Sequence, residues 1–300
     1  MPPIDRYPRP NMFTQRDHHY AMGRPTSTHQ RQFLNEAEEN AAYQSDRHTE
    51  ALYARGESRG YSRAEVDAGR RRMAETHSTI NFNPAARLDD GTSVMEAMAD
   101  DDYHRNMFET NISGAQLGQA QRQTVENSLY DNHYRGVPAY AHPSYGALNM
   151  TDSPHGTAPF AGDAHLRIRP ETHDRATYSY FDSARANRSE DLGTRRHNDH
   201  VLYRTTNHTF DNVMGRRPSS PADPHGDYVE VQYHGRVRYG EDVESLNVHS
   251  RHRDTEIGGH ARRFRDNHET KLYWVDDRGE RRRSYGGDGG GYDRHEGYYR

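Results

Sequence analysis

The 300-residue chain contains no cysteine. This absence excludes disulfide bonds, thiolate metal sites and cysteine nucleophiles, so the fold takes no support from the redox state of its compartment. Long apolar runs are missing too, since no stretch approaches the roughly 18 consecutive apolar residues of a membrane span. The first ten residues carry Arg, Asp and Pro before any apolar run. We therefore expect no signal peptide, no membrane partner and an intracellular location, cytoplasmic or nuclear or associated with a virion.

Lysine is almost absent. Of the 40 basic residues, 39 are Arg and one, Lys271, is Lys. The planar guanidinium of Arg binds phosphate or carboxylate bidentately and stacks on aromatic rings, whereas Lys is a strongly hydrated point charge. The chain also holds 21 Tyr and 21 His. This composition is typical of a protein built for polar and aromatic contacts.

Large aliphatic side chains are scarce. Leu, Ile, Val and Phe together number 36, or 12% of the chain, below the roughly 20% at which ordinary cores become doubtful. Because ordering the backbone costs about 1 to 2 kcal/mol per residue, we expect small folded pieces joined by disorder rather than one large core. The 40 cations nearly balance the 45 anions, which favours a collapsed, self-associating chain over an expanded one.

Helices are predicted in the N-terminal half. Helix-forming composition covers residues 28–55, and Ser62 followed by Glu65 fits a capping box that starts a second helix ending near Glu75. Apolar spacing predicts two more helices at 93–108 and 113–130. Their apolar stripes are narrow, so burial against another copy or a partner would stabilise them, and we expect a homo-oligomer.

Strands are predicted in the C-terminal half. Short β-inclined runs lie at 166–169, 177–181 and 201–205. A hairpin is predicted over 228–239, turning at His234 and Gly235. Its predicted buried positions are Val229, Val231 and Val237.

A second strand pair is predicted at the end of the β-rich region. Residues 271–275 and 280–285 are β-inclined and flank the sequence DDRG, which is typical of a turn. Trp274, the single Trp of the chain, is the leading candidate for a core residue.

The chain is thus predicted to be α+β and largely irregular, with a loose helical N-terminal half, a small β-rich C-terminal half and disordered termini. Four Pro interleaved with Tyr and Gly argue against a helix or a central strand between Gly136 and Gly162. The predicted segments are a disordered arm at 1–28, a helical region at 29–135, a Pro/Gly linker at 136–162, a short-strand region at 163–214, a Pro-rich linker at 215–226, a β-rich module at 227–285 and a Gly/Tyr/Arg tail at 286–300.

Nucleic-acid binding is the leading chemical hypothesis. Arg pairs with phosphates and stacks on bases, and Tyr adds stacking platforms, an arrangement suited to single strands. The densest group of such residues comprises Arg251, Arg253, Arg262, Arg263, Arg265, Arg281, Arg282, Arg283, Tyr273, Trp274 and Tyr285. The net charge of −5 and the Asp residues that interrupt every basic run oppose this hypothesis. Pairing of Arg with the protein's own carboxylates is therefore the open alternative.

Other motifs are weak. No HExxH, Walker or GxSxG motif is present, so we assign no catalytic residue, no metal and no cofactor. The sequence RRPSSP makes Ser219 a candidate phosphorylation site and, once phosphorylated, a match to the pattern that 14-3-3-type proteins read. The Gly-rich tail resembles, in composition only, the tails of RNA-binding proteins.

We therefore expect a non-enzymatic, oligomerising protein that coats or condenses RNA or another single-stranded nucleic acid through Arg and Tyr, as a nucleoprotein does. The first alternative is a self-assembling structural or scaffold protein, capsid-like or condensate-forming, whose Arg pairs with its own acids. The second is a protectant, because a hydrophilic, Cys-free chain rich in Gly resembles the hydrophilins in composition.

Overall fold

The protein is α+β. The computed structural model describes residues 26–114, 117–183, 188–216 and 227–285. The helices are α1 (Thr28–Ser58), α2 (Arg63–Glu75), α3 (Val94–Asp100), α4 (Met107–Thr110), α5 (Gln119–Leu129), α6 (Asp199–Arg204), α7 (Asn207–Met214), α8 (Tyr239–Asp242) and α9 (Glu256–His268). The strands are β1 (Ser78–Phe82), β2 (Tyr103–His104), β3 (Ser144–Leu148), β4 (Ala164–Ile168), β5 (Ala176–Ser179), β6 (Gly193–Thr194), β7 (Glu230–Tyr233), β8 (Val237–Arg238), β9 (Val243–His249), β10 (Lys271–Val275) and β11 (Arg281–Ser284).

Nine strands of the described chain form one mixed sheet, in the order β11-β10-β9-β4-β1-β3-β7-β5-β6. The pair β9 and β10 is parallel and is joined through α9, while the other neighbours in the sheet are antiparallel. β2 and β8 form a separate two-stranded ladder. Strands from both halves of the chain, from β1 to β11, are therefore parts of one sheet.

The two faces of the sheet differ in chemistry. Side chains alternate between faces along each strand, so the strand register decides which residues share a face. One face carries mainly apolar residues, among them Ile80, Leu148, Leu166, Tyr178, Val231, Leu246 and Trp274. The opposite face carries polar and charged residues, among them Thr79, Tyr145, His165, Arg167, Thr177, Gln232, Asn247, Tyr273 and Arg283.

The apolar face forms a continuous core with α1, α2, α3, α6, α7 and α9. Met, Ala and Tyr fill this core beside the Leu and Val residues, as with Met73, Met95, Met98 and Ala261 on the helices and Tyr61 between α1 and α2. The expectation of small folded pieces without a large core was therefore wrong. It counted only four residue types, whereas Met packs into irregular gaps and Tyr buries a large apolar ring.

Several local predictions are confirmed. Ser27 and Gln30 form a capping box at the start of α1, which covers the predicted 28–55. Ser62 and Glu65 form the predicted box at the start of α2, which ends at Glu75 as expected.

The predictions for the terminal strands and for single core residues are confirmed as well. β10 and β11 pair antiparallel around the DDRG turn. The residues expected in the core are buried: Trp274, Val229, Val231 and Val237.

The predicted linker at 136–162 was wrong over 144–148. These residues form β3, a central strand between β1 and β7. Pro143 stands just before the strand and removes no hydrogen bond from the ladder. Gly146 permits close approach to β1, because a Cβ atom there would lie 2.7 Å from the carbonyl oxygen of Thr79.

The hairpin predicted over 228–239 was also wrong. β7 is hydrogen-bonded to β3 on one side and to β5 on the other, so neither edge is free for the residues that follow it. Those residues form β8, which pairs with β2 instead. Tyr239, at the end of the predicted hairpin, begins α8.

The strand predicted at 201–205 is helical. Val201 and Leu202 lie in α6 and are both buried, together with the neighbouring Asp199 and His200. A strand would have placed consecutive residues on opposite faces, whereas one turn of helix against α1 buries them together.

The helix predicted at 93–108 ends early, at Asp100, where α3 meets a run of three Asp that is unfavourable at the negative end of a helix. β2 and α4 follow it. The helix predicted at 113–130 is shorter, as α5 covers Gln119–Leu129.

Within the described ranges, no helix combines the length and the apolar character needed to cross a membrane.

Candidate nucleic-acid interface and a buried polar network

The terminal hairpin, formed by β10 and β11, places part of the predicted binding group on one surface. Tyr273 pairs with Arg283 across the hairpin, and Arg281 lies two residues further along the same face. The guanidinium of Arg281 lies 4.7 Å from the centre of the Tyr273 ring. That of Arg283 lies 5.2 Å from the ring of Tyr285. Both distances fit cation–π contacts.

This surface, hereafter the hairpin face, consists of Lys271, Tyr273, Arg281, Arg283 and Tyr285. Lys271 and Tyr285 are exposed, and the other three residues are partly exposed. Arg281 also donates from Nη2 to Oδ1 of Asn247 at 2.9 Å. Neighbouring rings and an amide thus orient the guanidinium groups. Parts of the Tyr rings and of the Arg side chains remain accessible to solvent.

The other side of the hairpin is covered. Trp274 pairs with Arg282 and points into the core, where only 2% of its surface is exposed. Arg262 of α9 lies over the Trp274 ring at 5.4 Å, and Arg265 donates to the Ser284 hydroxyl at 3.1 Å. Trp274 therefore contributes to the core in this conformation and does not offer its ring to a base.

The remaining Arg of the predicted group lie away from the hairpin face. Arg251 is paired with Asp163, and Arg263 lies 3.0 Å from Asp100. Arg262 donates to the backbone oxygen of Arg253 at 2.8 Å. Arg265 pairs with the adjacent Asp266, and Arg282 lies 3.5 Å from Glu280. The alternative of pairing with the protein's own carboxylates therefore applies to most of this group.

Two further sequence predictions can be located only in part. Ser219, like the arm at 1–25 and the tail at 286–300, lies outside the described residues. Within the described residues, no three His, Asp or Glu side chains are grouped so as to hold a metal ion.

The structure also contains a buried polar network that the sequence did not predict. It lies between α5 and the polar face of β3, β5 and β7. Glu230, 5% exposed, accepts from the backbone NH of Ser183 at 3.0 Å and from its hydroxyl at 2.6 Å. Nη1 of Arg122, on α5, lies 3.4 Å from the same hydroxyl. Ser183 thus bridges a buried cation and a buried carboxylate.

A second branch of the network joins α5 to β3. Glu126 is fully buried and accepts from Nδ1 of His142 at 2.5 Å and from the hydroxyl of Tyr145 at 2.9 Å. Burial raises the pKa of Tyr145 well above its ordinary value, so its hydroxyl remains a donor. The Arg122 guanidinium lies over the Tyr145 ring at 4.2 Å. α5 is therefore held to the sheet by charge-assisted contacts as well as by apolar ones.

The third branch runs along β7. Gln232 donates to Glu230 at 3.0 Å and accepts from Thr177 at 2.9 Å. His234 contacts Thr177 at 2.9 Å and the hydroxyl of Tyr134 at 2.6 Å. Burial raises the pKa of Glu230 and lowers that of His234 to about 3. These groups are enclosed, and the network fastens α5 and Tyr134 to a polar sheet surface.

One sequence signal could have indicated the network. Glu230, Gln232 and His234 alternate with Val and Tyr in a run whose other positions are apolar. When the side chains on both faces of a strand are buried, the polar ones must find hydrogen-bond partners. Arg122 and Ser183, which lie 61 residues apart, carry no comparable signal.

Comparison with known families gives one match. Residues 78–223 match a family model described as "Protein of unknown function (DUF3626)". The matched range, just under half of the 300 residues, runs from β1 past β6 and includes Arg122, Glu126 and Ser183, whereas Glu230 and the hairpin face lie beyond it. No curated protein matches the chain.

Proposed function

We propose that the protein binds single-stranded nucleic acid, RNA in the first instance, through the hairpin face. The observation that supports this proposal is the strand register, which puts Tyr273, Arg281 and Arg283 on one partly exposed surface with the guanidiniums against Tyr rings. Aromatic rings on a sheet surface stack unpaired bases, and Arg beside them meets the phosphates.

The expected affinity is modest. Stacking contributes about 1 to 3 kcal/mol per base, and two Tyr allow two bases to stack. Two phosphate contacts, from Arg281 and Arg283, give a slope of log K against log salt of about −1.4 for a single strand. The overall charge of −5 opposes long-range attraction, so recognition depends on the local surface.

The experiment is a fluorescence-anisotropy titration of a labelled oligouridylate at a series of salt concentrations. The double variant Arg281→Gln/Arg283→Gln is expected to lose most of the affinity and most of the salt dependence. Arg188→Gln/Arg282→Gln serves as the matched control, because it removes the same charge from an exposed loop residue and from the opposite side of β11. Equal loss in both double variants would contradict the proposal, since it would mean that only net charge matters.

A second candidate function is a self-assembling scaffold. The observation that favours it is the extent of ion pairing within the chain, as in the Arg59–Asp211 pair at 2.8 Å and the Arg70–Asp199 pair at 2.6 Å, where each carboxylate is buried. Light scattering with the ratio of absorbance at 260 and 280 nm, before and after nuclease treatment, separates the candidates. Large particles that survive nuclease and carry no nucleic acid would favour the scaffold.

A further inference from the structure

A cleft of about 560 Å³ opens between α1, the 3₁₀ turn at Pro170–Arg175 and α8. We propose that it binds a small phosphate-bearing molecule through its guanidinium groups. The lining residues are Thr26, Arg31, Leu34, Asn35, Arg169, Glu171, Thr172, Asp174, Arg175, Glu241 and Asp242.

The carboxylates of the cleft are mostly engaged. Asp242 is paired with Arg175, Asp174 lies 3.0 Å from Arg195, and Glu241 lies 2.8 Å from Arg238. Glu171 is the one lining carboxylate without an ion-pair partner in the described part of the chain. Most of the negative charge of the lining is thereby compensated within the protein.

Two guanidiniums of the cleft are not compensated. Arg31 donates only to uncharged oxygens, those of Thr26 at 2.6 Å and Thr28 at 3.0 Å. The exposed side chain of Arg169 has neither an ion pair nor a hydrogen bond to any residue that the structure describes. Two cations against the single carboxylate of Glu171 leave a local surplus of positive charge, which favours an anionic ligand.

Arg175 adds a buried guanidinium to the cleft wall. Its side chain is about nine-tenths buried, with 9% of the residue exposed, and donates from Nη2 to Asp242 and to the backbone of Arg236. Its Nη1 atom is buried and has no hydrogen-bond partner among the described residues. Because Nη1 is closed to solvent, Arg175 adds positive charge to the cleft wall rather than an open donor.

The start of α1 strengthens the preference for an anion. α1 is 31 residues long, and its first turn contains no acidic residue. The positive end of its dipole is therefore not neutralised locally, and helix N-termini of this kind favour phosphate. Thr26 and Arg31, which flank this end, both line the cleft.

The shape of the site narrows the class of ligand. The volume lies within the range of about 300 to 1,000 Å³ that is common for small-molecule sites. None of the lining residues is aromatic, so the cleft offers no platform on which a base could stack. Planar guanidinium groups match the oxygens of a phosphate bidentately. We infer that recognition rests on the phosphate group of a small polar molecule.

Isothermal titration calorimetry with inorganic pyrophosphate tests the proposal, with citrate as a carboxylate comparison. Arg169→Gln and Arg31→Gln are each expected to weaken pyrophosphate binding about tenfold. Arg188→Gln is the matched control and should leave binding unchanged, because Arg188 is exposed and does not line the cleft. Arg169 is exposed and makes no described side-chain bond, so its variant should fold, and circular dichroism checks this for both variants.

The proposal would be overturned by no binding of pyrophosphate to the wild type up to about 10 mM, by wild-type affinity in Arg169→Gln, or by tighter binding of citrate than of pyrophosphate. The hairpin variant Arg281→Gln/Arg283→Gln should keep full pyrophosphate binding. Loss of binding there would place the anion on the hairpin face and would likewise count against the cleft. Pyrophosphate binding by this hairpin variant therefore tests the cleft independently of the nucleic-acid proposal.

Discussion

Acidification should unfold the protein in a pH range where many proteins remain stable, because several neutral histidines are enclosed in it. Four of them are at most 4% exposed: His165, His173, His200 and His234. Burial lowers the pKa of His165, His173 and His234 to about 3 and that of His200 to about 4. His173, for example, contacts the Ser78 hydroxyl at 2.7 Å through Nε2, while its Nδ1 has no partner among the described residues.

The sign of the effect follows from proton linkage. In the unfolded chain these histidines titrate near pH 6.5, whereas in the folded protein they stay neutral to a much lower pH. Below about pH 6.5 the unfolded state therefore binds more protons, and the free energy of unfolding falls as pH falls. The contribution of each His is complete above the unfolded value and is lost progressively as pH drops toward the folded value.

The magnitude is large compared with ordinary stability. One unit below the unfolded pKa, each His costs about 1.4 kcal/mol, so four cost about 6 kcal/mol. Total stabilities are about 5 to 15 kcal/mol. Glu109 and Glu230, whose pKa values burial raises, act in the opposite sense, so about 6 kcal/mol is an upper figure.

Urea unfolding followed by Trp fluorescence measures this effect directly, because the single Trp274 is buried in the core. The free energy of unfolding should be several kcal/mol lower at about pH 5.5 than at about pH 7.5. His200→Gln should reduce this difference by about 1.4 kcal/mol. Equal stability at the two pH values would refute the reasoning.

Two further predictions concern buried charge and close packing. Arg122→Met should lower the free energy of unfolding by about 3 to 5 kcal/mol, because Glu230 loses its buried counter-ion. Arg122→Met/Glu230→Gln should recover much of this loss. Thermal melts of the two variants test the prediction, and equal melting temperatures would contradict it. Gly146→Ala should destabilise by about 1 to 3 kcal/mol, because its Cβ would lie 2.7 Å from a backbone oxygen. Gly259→Ala should stabilise the protein by about 0.5 to 1 kcal/mol, because this helical position has nothing within 4 Å of an added Cβ atom. Urea unfolding measures the change in the free energy of unfolding for both Gly variants. A change of the same sign in both would contradict the packing argument.

Local sequence signals determined the parts of the fold that could be predicted. Ser62 with Glu65 specifies a helix start through hydrogen bonds between residues three apart, so no tertiary information is needed. The hairpin of β10 and β11 has the same character, since turn and strands are contiguous. Trp274 was expected in the core because Trp carries a large apolar ring, and it is buried.

Long-range pairing determined the parts that could not be predicted. Gly146 lies in a run rich in Pro and Gly, and it becomes part of a central strand only because β1 and β7 lie on either side of it. Val201 and Tyr203 have β propensity, and packing of this segment against α1 overrides it. Residues 228–239 have the local pattern of a hairpin, but β7 takes both of its partners from elsewhere in the chain.

The candidate sites, too, could be predicted only where their residues are close in sequence. Tyr273, Arg281 and Arg283 were predicted because they are close in sequence. The pairing of Arg251 with Asp163 joins residues too far apart for composition to indicate it, and the bridge from Arg122 through Ser183 to Glu230 spans more than a hundred residues. The cleft beside α1 depends on three separated segments and likewise has no local signal.

Ultraviolet cross-linking of the protein to a single-stranded RNA, followed by tryptic digestion and mass spectrometry, shows where RNA contacts the chain. Binding at the hairpin face predicts nucleotide adducts on the peptide 272–278, which contains Tyr273, or on the peptide that begins at Ser284 and contains Tyr285. It also predicts that these adducts disappear in Arg281→Gln/Arg283→Gln and persist in Arg188→Gln/Arg282→Gln. Adducts confined to other parts of the chain, or none under conditions that cross-link a known RNA-binding protein, would contradict binding at the hairpin face.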